Sequence, residues 1–96
     1  MDIAAFRRSL ADPAPPPGLS TAAEALWWDA RGDWNRAHGC AQEHNDAAGA
    51  AVHAYLHRKE GDAANAGYWY RRARRPVSTA TLEQEWETLA AEMVGG

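Results

Sequence analysis

The pattern Gly-Asp-x-x-x-Ala occurs twice in the sequence, at residues 32–37 and 61–66, with an offset of 29 residues. In each copy the glycine permits a tight turn, and the aspartate can accept a hydrogen bond from a free amide of the following helix. The alanine one turn later lets two helix backbones approach closely. Because the pattern recurs, it indicates an internal repeat of two helical hairpins. The sequence therefore predicts an all-α fold built on two antiparallel helical hairpins.

Apolar residues at three- and four-residue spacing extend both hairpins on either side of these turns. The first hairpin is expected over about residues 21–44, and Thr21 and Glu24 have the spacing of a capping box at its start. The second is expected over about residues 48–76. The apolar stripes of the four helices are Ala23, Leu26, Trp27 and Ala30; Trp34, Ala37 and Ala41; Ala48, Ala51, Val52, Tyr55 and Leu56; and Ala66, Trp69, Tyr70 and Ala73.

One further helix is predicted at each end of the chain. A short N-terminal helix follows Asp2 and ends before Pro13, and the proline-rich segment 12–18 is a stiff connector because successive prolines lack amide donors. The last helix begins near Thr81, with Gln84 in capping-box position, and can cover the apolar face of the second hairpin. Its own apolar face consists of Leu82, Trp86, Leu89 and Met93.

The length of 96 residues predicts a single domain over residues 1–96. The core must combine many small side chains with a few large ones, since the chain has five tryptophans and one phenylalanine. The single cysteine, Cys40, cannot form an internal disulfide, and the N-terminus lacks the order of a secretion signal. No apolar run approaches the roughly 18 residues of a membrane span. We therefore expect a soluble, cytoplasmic protein.

The charge is distributed unevenly along the chain. Residues 1–50 carry a net charge of −3, residues 51–75 carry +4 and residues 76–96 carry −4. This pattern predicts either that the last helix lies against the basic segment or that both are solvated.

The second hairpin resembles a tetratricopeptide repeat, and the likeness extends over about residues 21–76. It is carried by the spacing of Gly61, Ala66, Tyr70, Ala73 and Pro76. Residues 66–73 also resemble the end of a Sel1-like repeat, and residues 53–62 resemble a segment of a small uncharacterised bacterial family. The tetratricopeptide resemblance implies partner binding along a concave surface lined by the first helix of each hairpin.

A possible metal site lies on one flank of the first helix of the second hairpin. His53, His57 and Glu60 share this flank, since a four-residue step places two imidazoles on one side of a helix. Cys40 and His44, also four residues apart, could supply the remaining ligands for a divalent metal such as zinc. The alternative is that these histidines are ordinary surface or boundary residues, and no other cofactor is expected.

Two surfaces are candidates for a protein or peptide partner. The first is a groove formed by His53, His57, Arg58 and Glu60 together with Asp29 and Arg31 of the first hairpin. The second is a homodimer interface that would bury Trp28 and Trp86.

The arginine-rich end of the second hairpin could bind nucleic acid or phosphate. Tyr68, Arg71 and Arg75 point away from the predicted core, and such aromatic and guanidinium groups can stack on bases or hold phosphates. The overall acidic charge disfavours this function, and arginines at a helix end are favourable without any ligand.

The sequence contains none of the common catalytic motifs. It lacks a glycine-rich phosphate loop, a Gly-x-Ser-x-Gly elbow and paired metal-binding cysteines. Cys40 is predicted near a helix C-terminus, where the helix dipole disfavours a thiolate. We therefore expect that the protein is not an enzyme. Its leading candidate function is that of a small protein-interaction module.

Overall fold

The computed structural model describes residues 1–43 and 46–94, and within these ranges the chain forms six α-helices and no β-strand. The helices are α1 (Ile3–Ser9), α2 (Thr21–Ala30), α3 (Trp34–Gln42), α4 (Ala47–Lys59), α5 (Ala63–Arg72) and α6 (Leu82–Val94). α2 pairs with α3 and α4 pairs with α5, which confirms the predicted pairing of helices. None of the described helices has the length and apolar character needed to span a membrane.

The repeated Gly-Asp turns form as predicted. Gly32 and Gly61 both have positive φ angles, 80° and 88°, which lie in the left-handed region that favours glycine. The Asp33 side chain accepts a hydrogen bond from the Arg36 amide at 3.1 Å, and Asp62 accepts one from the Asn65 amide at 3.2 Å. Each aspartate thus caps the second helix of its hairpin.

The start of α2 differs from the prediction by one residue. Ser20, not Thr21, is the N-cap, and its hydroxyl oxygen accepts a hydrogen bond from the Ala23 amide at 3.2 Å. Ser20 has an extended backbone conformation, whereas Thr21 is already helical. The Thr21 hydroxyl is buried and has no hydrogen-bond partner among the described residues. The expected capping box of Thr21 with Glu24 is therefore wrong.

This shift gives a paired stability prediction. Ser20→Ala removes a capping acceptor and should lower the free energy of unfolding by about 1 kcal/mol. Thr21→Ala removes an unpaired buried hydroxyl and should leave stability unchanged or raise it. Urea denaturation of both variants measures the difference. A larger loss for Thr21→Ala than for Ser20→Ala would show that the cap is assigned to the wrong residue.

The terminal helices pack against the hairpins. α6 contacts both α2 and α4, and α1 contacts α6. The Trp86 indole Nε1 donates a hydrogen bond to the Leu26 carbonyl at 3.0 Å, and its ring stacks with that of Phe6. On α2, Trp27 Nε1 donates to the Ser9 hydroxyl at 3.1 Å. α1 is therefore fixed to the core through both neighbouring helices, although a proline-rich connector follows it.

Ion pairs join the acidic last helix to the basic segment. Glu85, which is buried, accepts hydrogen bonds from Arg58 at 2.7 Å and from the Tyr70 hydroxyl at 2.5 Å. Arg75, just beyond α5, pairs with Glu92 at 2.7 Å. The charge pattern predicted either contact between these two segments or solvation of both. In the structure the two segments are in contact.

Candidate metal centre

Three histidines from two helices converge beside the second hairpin. His38 lies on α3, and His53 and His57 lie on α4. One ring nitrogen from each lies within 4.8 Å of the others, and the Nε2 atoms of His38 and His53 are 2.9 Å apart. We call these three residues the histidine cluster.

Local sequence explains how the cluster forms. The four-residue step between His53 and His57 stacks their rings, with centroids 5.1 Å apart and planes inclined by 18°. On α3, His38 directly follows Ala37, which is fully buried. A residue as small as alanine lets α3 approach the core closely, and the His38 ring then meets His53 edge to face at 4.6 Å.

Two tryptophans flank the cluster. Trp34 stacks on His38 with ring centroids 4.6 Å apart, and Trp69 of α5 stacks on His53 at 4.0 Å. His53 is only 4 % exposed, whereas His38 and His57 are partly exposed. The cluster is therefore sheltered on its aromatic sides and reachable from solvent at its edge.

The surroundings keep two of the imidazoles neutral. Burial, together with the neighbouring His38 and His57, lowers the pKa of His53 to about 4. Burial also lowers the pKa of His38, as does His57, against a smaller opposing effect of Glu60. Neutral imidazole is the form that binds a metal ion, so these residues are ready as ligands at neutral pH.

Glu60 orients the third histidine. Its carboxylate Oε1 lies 2.7 Å from Nδ1 of His57, and a carboxylate can only accept this hydrogen bond. In the neutral form of His57 the proton is therefore on Nδ1, which leaves the Nε2 lone pair available for a ligand. Asp62 also lies near this pair, but its carboxylate already accepts hydrogen bonds from the backbone and side chain of Asn65.

The predicted ligand set is thus brought together only in part. His53, His57 and Glu60 lie side by side as expected, but Cys40 is not a member of the cluster. Its thiol donates to Glu24 Oε2 at 3.3 Å, and burial together with Glu24 raises the pKa of this thiol to about 12. His44 lies outside the described residues.

His38 is the member that the sequence analysis missed. It lies one turn after Trp34 and next to Ala37, a predicted core position. The same 100° helical projection that selected His53 and His57 on α4, applied to α3, would have placed His38 on the border of the buried face.

Several residues of the predicted partner groove make intramolecular contacts. Arg58 donates to Glu85 and also to the Ala80 carbonyl oxygen. Asp29 is buried and accepts hydrogen bonds from the Tyr55 hydroxyl at 3.0 Å and from Lys59 at 2.9 Å.

Arg31, also predicted in the groove, donates to the carbonyl oxygens of Leu10 and Asp12. It therefore anchors the end of α1 to α2. Of the predicted groove residues, Arg31 and Glu60 are exposed, His57 and Arg58 are partly exposed, and Asp29 and His53 are buried.

The predicted nucleic-acid surface shares no residue with the cluster. Tyr68 is 43 % exposed, and its ring meets that of Trp69 edge to face. Arg71 is exposed, and Arg75 is paired with Glu92. Phosphate or nucleic-acid binding by this surface stays a prediction.

The two tryptophans of the predicted dimer interface have different environments. Trp86 is buried within its own chain. Trp28 is partly buried, with the Arg36 guanidinium over its ring at 4.5 Å. Of these two tryptophans, only Trp28 therefore has exposed ring surface that a second chain could bury. The homodimer stays a prediction.

Comparison with known proteins places the chain in no family: no family model, no curated protein and no solved structure matches it. The fold and the site define a small all-α protein of paired helices, with three histidines brought together between the two pairs.

Proposed function

We propose that this protein binds a divalent transition-metal ion, with zinc as the first candidate, through His38, His53 and His57. The observation that carries the proposal is the convergence of three imidazole nitrogens within 4.8 Å from two different helices. Three histidine ligands are a known donor set for zinc.

The spacing of His38 and His53 fits such an ion with little rearrangement. Zinc–nitrogen bonds of about 2.0–2.1 Å in a tetrahedral arrangement separate two ligand nitrogens by about 3.3 Å. The Nε2 atoms of His38 and His53 are 2.9 Å apart. An outward movement of about 0.4 Å, together with transfer of the proton in this bond to Nδ1 of the ring that carries it, would replace their mutual hydrogen bond by two metal bonds.

The chemistry of the donors selects the class of ion. Imidazole nitrogens suit zinc, copper, nickel and iron, whereas calcium and magnesium prefer oxygen ligands. The bond from His57 Nδ1 to Glu60 supports the same class of ion, because metal-binding histidines commonly donate their second ring N–H to a carboxylate. Glu60 would then orient His57 without binding the metal itself.

The resemblance to tetratricopeptide repeats favours another role, the binding of a protein or peptide along the first helices of the hairpins. The two helix pairs support that interpretation. However, α6 packs against both α2 and α4, and so it occupies part of the surface that such a partner would use. Metal binding is therefore the function that the geometry favours.

Zinc titration of the untagged, metal-free protein tests the proposal. We expect one zinc ion per chain by native mass spectrometry. Zinc at about 100 times its Kd should stabilise the fold by about 2.7 kcal/mol, which corresponds to a rise in Tm of about 10 °C or more for a domain of this size. Absence of stoichiometric zinc together with an unchanged Tm would contradict metal binding.

Variants identify the ligands. His53→Gln should remove most of the zinc-induced rise in Tm, measured against the variant's own metal-free Tm. Asn35→Ala, at an exposed position of the same helix as His38, serves as the control and should retain the full rise. Cys40→Ser and His44→Ala test the two other predicted ligands, and a loss of zinc binding in either would add that residue to the site.

A further inference from the structure

We propose that the bound metal ion clamps the first hairpin to the second by joining α3 to α4, and thereby controls local opening of α3. This inference rests on the proposed metal binding and says what that binding does to the fold.

On one side, the two hairpins are held together by α6. The Trp86 indole bonds to the Leu26 carbonyl of α2, and Glu85 bonds to Arg58 of α4. Both contacts are at least partly buried, so this side is joined by a hydrogen bond and an ion pair shielded from water.

On the other side, α3 and α4 pack directly against each other, but few polar groups join them. Within residues 1–43 and 46–94, the bond between His38 and His53 is the only side-chain hydrogen bond found between these two helices. The fully buried residues of α3 are Ala37 and Ala41. Two alanines bury little apolar area, so we expect α3 to open more easily than α4, whose buried residues include Val52, Tyr55 and Leu56.

Whether a bound metal ion could hinder the opening of α3 depends on which helices supply its ligands. His53 and His57 lie on consecutive turns of α4, so an ion held by these two alone would constrain nothing between the hairpins. His38 comes from α3. Its addition makes the ion a link between helices, which must break before α3 can leave α4.

Cys40 provides a natural reporter of this opening. It lies on α3, and its thiol is directed at the Glu24 carboxylate of α2. In the closed state the thiol lies against this carboxylate and is partly buried. Opening of α3 would separate the thiol from Glu24 and expose it to a thiol reagent.

The test measures the labelling rate of Cys40 by a disulfide reagent and the amide hydrogen exchange of residues 34–42, with and without zinc. Zinc at about 100 times its Kd should make the open state rarer and slow both rates, by up to about 100-fold, the limit reached if the open state does not bind the ion. The exchange of α1, which holds no ligand, should change much less. Cys40→Ser should show the same protection of residues 34–42, which separates clamping from coordination by the thiol.

Two variants distinguish a link between helices from chelation within one helix. His38→Gln keeps the pair on α4, so at saturating zinc it should bind the ion without slowing either rate. His57→Gln keeps one ligand on each helix, so once saturated it should still slow both.

The outcomes separate the two proposals. Stoichiometric zinc binding by the natural sequence with unchanged labelling and exchange would overturn the clamp and leave metal binding intact. Equal slowing in His38→Gln, or loss of zinc binding in Cys40→Ser, would also overturn the clamp as described. Failure to bind zinc at all would overturn both.

Discussion

Replacing Glu85 with alanine is expected to lower the free energy of unfolding by about 3–5 kcal/mol. The Glu85 side chain is 8 % exposed and accepts hydrogen bonds from Arg58 and from the Tyr70 hydroxyl. Its removal leaves a buried hydroxyl without its acceptor and a partly buried guanidinium without its counter-charge. We expect the lower end of this range, because the Arg58 side chain is 25 % exposed and can be solvated in part.

α6 contains a matched control for this prediction. Glu87 is also paired with an arginine, Arg7, at 3.0 Å, but both side chains are at least half exposed. Exposed pairs contribute little, so Glu87→Ala should change stability by less than about 1 kcal/mol. Chemical denaturation of both variants measures the two losses in the free energy of unfolding. Equal losses would show that burial does not govern the strength of these pairs.

Acidification should destabilise the metal-free protein through His53. Burial, together with His38 and His57, lowers the pKa of His53 to about 4 in the folded state, from an ordinary value near 6.5. Below about pH 6.5 the unfolded chain therefore binds more protons than the folded chain, so stability falls as the pH falls. For His53 alone the slope approaches about 1.4 kcal/mol per pH unit, and the loss reaches about 3 kcal/mol by pH 4.

The groups around His53 act in the same direction. His38 and His57 face it from α3 and α4, and its stacking partner from α5, Trp69, is uncharged. The pKa of His38 is also lowered, so His38 adds to the loss on acidification.

Unfolding free energies measured between pH 7 and pH 5 in the presence of a chelator test this dependence. Most carboxylates titrate below this range, so their contribution to the slope is small. His53→Gln should flatten the slope relative to the natural sequence. Parallel pH profiles for the two proteins would contradict the assignment.

Much of the fold could be predicted from local chemistry. The Gly-Asp turns at residues 32–33 and 61–62, and the reciprocal capping of Thr81 with Gln84, form as their sequences indicate. Such motifs involve residues close in sequence, so their hydrogen bonds depend little on the rest of the chain. The misplaced cap of α2 arose because Ser20 and Thr21 are both good capping residues, and the sequence does not say which backbone is helical.

The site could be predicted only within one helix. The spacing of His53, His57 and Glu60 places them on one flank of α4, which requires only the helical repeat. His38 could not be added to them in this way, because its approach depends on how α3 packs against α4. The separation of Cys40 from the histidines likewise follows from packing, which directs its thiol to Glu24 instead.

By itself, therefore, the sequence indicated the six helices of the described residues and the turns between hairpin helices, since each depends on contacts within a few residues. The short Gly-Asp turns then bring neighbouring helices together as pairs. The tertiary structure decided which distant groups meet: Glu85 with Arg58 and Tyr70, and His38 with His53. These contacts join residues 15 to 27 positions apart. Only the packing of whole helices, driven by burial of their apolar faces, fixes such distances.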